Sequence, residues 1–308
     1  MKPMTTYKLK HNRVTWTNII HPTPDDVEAL RADYPFIHPL NLEDILSPME
    51  RPKLDEDDDY LFLVLHFPQW DPVQRLSRSK ELNIIIGRGS VVTIHDGTLR
   101  PLARIFQQCE SSEDARHRYM GRGANHTFYE IVDSMVDYIF PMLRKIDKNI
   151  QRIEEGIFTQ DMRRVIREIT LVRRDVIAMR RIIRQQVPVL SELEDTTHPI
   201  IQEEFEEYFG DLSDHINKAR DYIDEDLEIV GNLADTADML ANHRINEVMR
   251  ILTVISVIML PLTLLSSVYG MNVPLPLQND PSAFILISIG MVLITVLLLL
   301  YFRRQGWL

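Results

Sequence analysis

Seven residues near the C-terminus recur in steps of three and four: Asn246, Met249, Thr253, Ser256, Leu260, Thr263 and Ser267. That spacing lines them up as one stripe on a helix. Amide and hydroxyl oxygens in such a row could meet water or a hydrated ion. Small and hydroxyl residues also mark tight helix packing, so the stripe alone admits both readings. Its helix runs to Tyr269-Gly270-Met271-Asn272, and Pro274 and Pro276 forbid continuation. Two helices of one chain cannot enclose a pore. If the stripe lines water, several copies must surround a common axis.

The elements that must carry the stripe are membrane spans. Residues 251–279 contain no charged side chain, and after Asp280 neither do residues 282–302. A membrane helix needs about 20 apolar residues, so the sequence predicts two spans joined by a short outer turn. The second span, 284–300, is rich in Leu, Ile and Val nearly all round and suits lipid. Arg244 and Arg250 precede the first span, Arg303 and Arg304 follow the second, and the loop 273–281 has no Lys or Arg. Basic flanks stay inside, so both termini are expected in the cytoplasm. Residues 1–10 show no apolar signal core, and the lone Cys109 fits a reducing compartment. The chain of 308 residues carries a net charge of −11; the last 65 hold four Arg and two acids, which leaves −13 for the rest. A body that acidic disfavours nucleic acid and favours cations.

The soluble part reads as two halves. Residues 1–122 form an α/β domain, with strand-like runs at 14–20, 60–67, 82–86 and 91–95. Thr23-Pro24-Asp25-Asp26 is a helix start, and 40–46 is a short helix. Residues 123–198 are antiparallel helices, 128–157 with a kink at Pro141 and 162–186. The second of these is rich in Arg (163, 164, 167, 173, 174, 180, 181 and 184) with apolar Val165, Ile166, Ile169, Leu171, Ile177 and Ile182 between. Acidic stretches at 203–207 and 221–228 suggest complementary charged faces. A stalk helix, 199–250, should run into the first span, 251–272; the outer loop is 273–281, the second span 282–302 and the basic tail 303–308. The acidic run 55–59 reads as a solvated loop before a strand, with a regulatory cation site as the lesser reading.

Tyr269-Gly270-Met271-Asn272 at the outer end of the first of two C-terminal spans resembles the signature of CorA-type divalent-cation transporters. Asn246-Glu247-Val248-Met249, Pro261-Leu262-Thr263 and the ending Tyr301-Phe302-Arg303-Arg304-Gln305-Gly306-Trp307-Leu308 fit the same family. So do Ile37-His38-Pro39-Leu40, Leu42-Glu43-Asp44-Ile45 and Arg51-Pro52-Lys53 before Tyr60-Leu61-Phe62. The resemblance covers essentially the whole chain.

It implies a funnel-shaped homopentamer in an inner or plasma membrane, conducting Mg2+, with Co2+ and Ni2+ as further cargo, and no enzyme. It makes Gly270, Met271 and Asn272 the selectivity filter. The pore lining becomes Asn246, Met249, Leu252, Thr253, Ser256, Leu260, Thr263 and Ser267, with Asn246, Met249 and Leu252 at the gate. Glu43, Asp44, Asp133 and Asp211 become intersubunit sites for regulatory Mg2+. Carboxylates suit that hard cation, and an uncharged Asn ring suits capture through the hydration shell. The loop after the motif departs from the family in carrying only Asp280 as an acid. A zinc-carrying branch shares the tripeptide, so a proton-coupled or outward Zn2+ transporter is one alternative. A membrane-anchored sensor or enzyme is another. Against the first, 251–279 has no acid or His; against the second, there is no nucleophile–base pair, no phosphate loop, and the ten His show no short metal-ligand pairing.

Overall fold

The computed structural model describes residues 6–159, 161–271 and 282–307. It divides into two compact units, Met1–Ala234 and Asp235–Leu308.

The first unit opens with a six-stranded sheet: β1 (Thr6–His11), β2 (Val14–Ile20), β3 (Lys53–Asp57), β4 (Tyr60–Asp71), β5 (Leu76–Gly87) and β6 (Ser90–His95). The spatial order is β1-β2-β6-β5-β4-β3. Among the described strands only β2 and β6 run parallel, with Thr15 opposite Ser90 and Ile20 opposite His95. The run from Tyr60 to Leu65 is wholly buried, so both faces of β4 are covered. On one side Phe62 and Val64 join Ile85, Val92 and Ile94 beneath Val27, Leu30, Leu42 and Ile45. The last four come from α1 (Pro24–Asp33) and the segment around α2 (Pro39–Asp44). Thr23 caps α1 with a full capping box to Asp26. Gly89 turns β5 into β6 at φ +82°, where a Cβ would lie 2.7 Å from the Arg13 carbonyl oxygen.

Helices follow: α3 (Arg100–Ser111), α4 (Glu113–Met120), α5 (Ala124–Asp137), α6 (Ile139–Gly156), α7 (Met162–Asp195), α8 (Glu206–Tyr269) and α9 (Ala283–Arg304). The α/β part, the long helix and two C-terminal apolar helices are therefore as expected. Several details differ. The acidic run is loop only at Asp58 and Asp59, since Lys53–Asp57 is the edge strand β3, paired with β4. Leu54 points inward at 7% exposure, while the acids keep the free edge hydrated. The single helix expected over 128–157 is two, joined at Tyr138. Pro141 falls in the first turn of α6, where an N–H has no helical acceptor anyway. Helix α7 continues through Pro188 to Asp195. Ile166 and Ile177 face solvent, whereas Val165, Ile169 and Ile182 are buried. Arg180 and Arg184 do meet α8, both at Asp224, the latter at 2.8 Å.

Candidate cation path and regulatory cluster

Among the described residues, two helices are long and apolar enough to cross a membrane: α8, through its C-terminal part, and α9. Along that part of α8 the whole stripe from Asn246 to Ser267 is exposed. The opposite side, roughly half a turn away at 100° per residue, holds the covered residues: Val254 is buried, and Ile258, Pro261, Leu265 and Val268 are half-buried. Thr253, Ser256 and Thr263 each donate their hydroxyl proton to the carbonyl four residues back (Met249, Leu252 and Met259) at 2.8 Å. Their donors are spent inside the helix. What they offer outward is oxygen lone pairs, an acceptor surface for the O–H groups of water held by a cation. Leu252 shares the exposed side at 55%.

The helix closes at the motif. The Gly270 N–H donates to the Ser266 carbonyl at 2.9 Å and that of Met271 to Val268 at 3.2 Å. A Cβ on Gly270 would approach the Ser266 oxygen to 3.1 Å. Asn272 and the loop 273–281, with Asp280, lie outside the described residues.

A second constellation sits in the first unit, where α5 meets the start of α8. His215 Nδ1 is 3.8 Å from an Asp133 oxygen and 3.9 Å from one of Asp137, and its Nε2 is 3.6 Å from Asp211. Tyr129 donates its hydroxyl to Asp211 at 3.2 Å. Burial, then the neighbouring Asp137 charge, pushes the Asp133 carboxyl up to about 6, with Asp211 and Glu130 adding and His215 opposing. Burial first, then Asp133 and Asp211, raises the Tyr129 phenol as well. His215 Nδ1 is buried with no hydrogen-bond partner among the described residues. The candidate ligand atoms of Asp133, Asp137 and His215 lie within 4.8 Å of one another. Three carboxylates that repel, around an orphaned imidazole nitrogen, suit a cation: hard Mg2+ through the oxygens, a transition metal through the nitrogen as well.

The sequence-predicted acids are thus divided. Asp133 and Asp211 come together through His215. Glu43 and Asp44 lie elsewhere, on α2, whose start is pinned by the His38 N–H and Asn41 amide donating to the buried Tyr60 hydroxyl at 2.9 and 3.0 Å. Glu43 is exposed, and Asp44 pairs with Lys53 at 2.7 Å. Asp137 and His215 escaped the sequence reading, which found no short ligand pairing among the His. Their signal was the i, i+4 spacing from Asp133 and Asp211, which puts each pair on one helix face.

Residues 11–304 match the family described as CorA-like Mg2+ transporter protein. The chain belongs to that family. The cobalt/magnesium transport protein CorA of Thermotoga maritima is 30% identical over 303 residues, 96% of this chain and 83% of that protein. The Bacillus subtilis protein YfjQ is 29% identical over 296 residues, 96% and 90% of the two chains. In fold, the complete CorA magnesium transporter of Methanocaldococcus jannaschii superposes with a TM-score of 0.85 at 23% identity, covering 97% of this chain and 93% of that one. This CorA-family chain is a membrane transporter of divalent cations.

Proposed function

We propose that this CorA-family chain takes up Mg2+ passively, as a funnel-shaped homopentamer with the first span of each subunit around a common axis and the second facing lipid. The observation that carries this is the exposed acceptor stripe on an otherwise apolar helix, leading to Gly270-Met271. Mg2+ releases its waters reluctantly. Acceptors spaced along a pore can pass the hydrated ion without replacing its shell, and a ring of Asn272 amides at the outer mouth selects it by that shell. Asn246 and Thr263 make further contacts with the hydration shell. Met249 and Leu252 close the path by dewetting. The driving force is the membrane potential: two charges across ~100 mV are worth roughly 4.6 kcal/mol. With basic residues flanking both spans, the soluble unit and both termini face the cytoplasm.

Regulation uses the acids. Cytoplasmic Mg2+ binds at Asp211 and Asp133, with Asp137 and His215 beside them, and at Glu43 and Asp44 across a subunit boundary. Empty, these carboxylates repel; filled, they are bridged, and the bridged population is closed. Asn272→Ala tests the filter. Mg2+ uptake into proteoliposomes should vanish while the oligomer stays intact by size; wild-type flux from an assembled variant would overturn the filter assignment.

A further inference from the structure

Asp44 already holds a cation. The Lys53 ammonium lies 2.7 Å from an Asp44 oxygen and 2.6 Å from one of Asp55. It reaches them from β3, stacked 5.5 Å from the Phe62 ring centre. The cleft around it, about 720 Å³, is lined by Asp44, Asp55, Glu56, Asp57 and Glu192, so one ammonium stands among five carboxylates. The Lys53 side chain is 34% exposed, and that of Asp44 is 21% exposed. The pair is shielded enough to be ordered and open enough to be exchanged.

We propose that Lys53 is a tethered competitor for the divalent ion at Asp44. Its ammonium occupies the carboxylate face that a regulatory Mg2+ must use, so the ion binds by displacing it. Lys53 thereby sets the Mg2+ concentration at which the transporter shuts. This rests on the reading of Asp44 as a regulatory ligand. A compact ammonium on a flexible stem can swing off Asp44 while keeping Asp55, which it already touches at 2.6 Å. An ion pair this accessible is worth at most about a fivefold change in affinity, which is the scale of a threshold adjustment and not of a lock.

The experiment measures the Mg2+ concentration for half-maximal protease protection and for half-inhibition of flux in the full chain. Lys53→Met, with Lys53→Gln as a second variant if assembly suffers, should lower both by about fivefold. Lys53→Arg should stay within about twofold of wild type, since the charge remains. In an Asp44→Asn background the added Lys53→Met should do nothing further, because there is nothing left to compete for. If Lys53 only braces α2 against β3, Lys53→Met will raise the threshold or leave it unchanged, and the proposal fails. If the fivefold drop persists in Asp44→Asn, the lysine acts as a distant charge and competition is refuted. If Asp44→Asn alone keeps the wild-type threshold, the regulatory reading of Asp44 falls and takes this proposal with it. A shift in Asp44→Asn with none in Lys53→Met sinks this proposal alone.

Discussion

Asp226 on α8 should contribute stability that is present in acid and lost at neutral pH. It is 7% exposed. Burial, then the Asp147 charge from α6 and that of Glu225, lifts its carboxyl from 3.8 to about 7. Folding therefore favours the protonated form. The stability this confers is complete below the unfolded value of 3.8 and is lost as pH rises through about 7. At about 1.36 kcal/mol per pH unit the full loss is on the order of 4 kcal/mol, and roughly half of it accrues between pH ~5.5 and ~7. Asp226→Asn keeps the shape and removes the charge. Its gain over wild type should be larger at pH ~8 than at pH ~5.5 by on the order of 2 kcal/mol. For a unit of this size that is roughly 4–8 °C in melting temperature. The assay is thermal unfolding of the purified full chain in detergent, with divalent ions chelated. An equal gain at both pH values, or a loss at pH ~8, would refute the reasoning.

Further outcomes follow from the two sites. Asp44→Ala/Asp211→Ala should lose most of the Mg2+ protection against protease and keep transporting at Mg2+ levels that shut the wild type; at roughly tenfold excess over Kd each lost site removes about 1.4 kcal/mol, and unchanged protection would place the regulatory ion elsewhere. Asp133→Asn should weaken Mg2+ protection while stabilising the ion-free protein, because it deletes a carboxylate whose ionisation burial and the Asp137 charge oppose; parallel melting curves with and without Mg2+ read both effects. Cobalt hexaammine, whose fixed shell mimics hydrated Mg2+, should compete for flux at the outer mouth, and no inhibition at any concentration would argue for direct coordination of a stripped ion.

Much of this was legible from residue types. The spans declared themselves by the absence of charge over 251–279 and 282–302, and the four strands found from sequence are the ones with β-branched or aromatic apolar runs. The strands that were missed, β1 and β3, are edge strands with polar sequences, Thr6–His11 and Lys53–Asp57. Their strand character comes from pairing with a neighbour and not from their own side chains. The divided helix at Tyr138 was hidden for a similar reason: both halves are helix-forming, and Pro141 fits either a kink or a first turn. In the acidic cluster, Asp133 and Asp211 were found through family likeness. Asp137 and His215 left only their i, i+4 spacing as a local trace; that α5 and α8 bring the two pairs together, across 82 residues of chain, was not readable from it. The lysine on Asp44 left no signal either, because eight residues of turn and loop separate the partners.

The central claim is a potential-driven path for hydrated Mg2+ that needs no proton. Purified protein in liposomes, loaded with a Mg2+-sensitive dye, should admit Mg2+ when an inside-negative potential is imposed. The rate should rise with the potential and ignore an imposed pH gradient, since residues 251–271 contain no titratable carboxyl, imidazole or amine. Uptake that stops without a proton gradient, or that persists for Zn2+ and is absent for Mg2+, would contradict it.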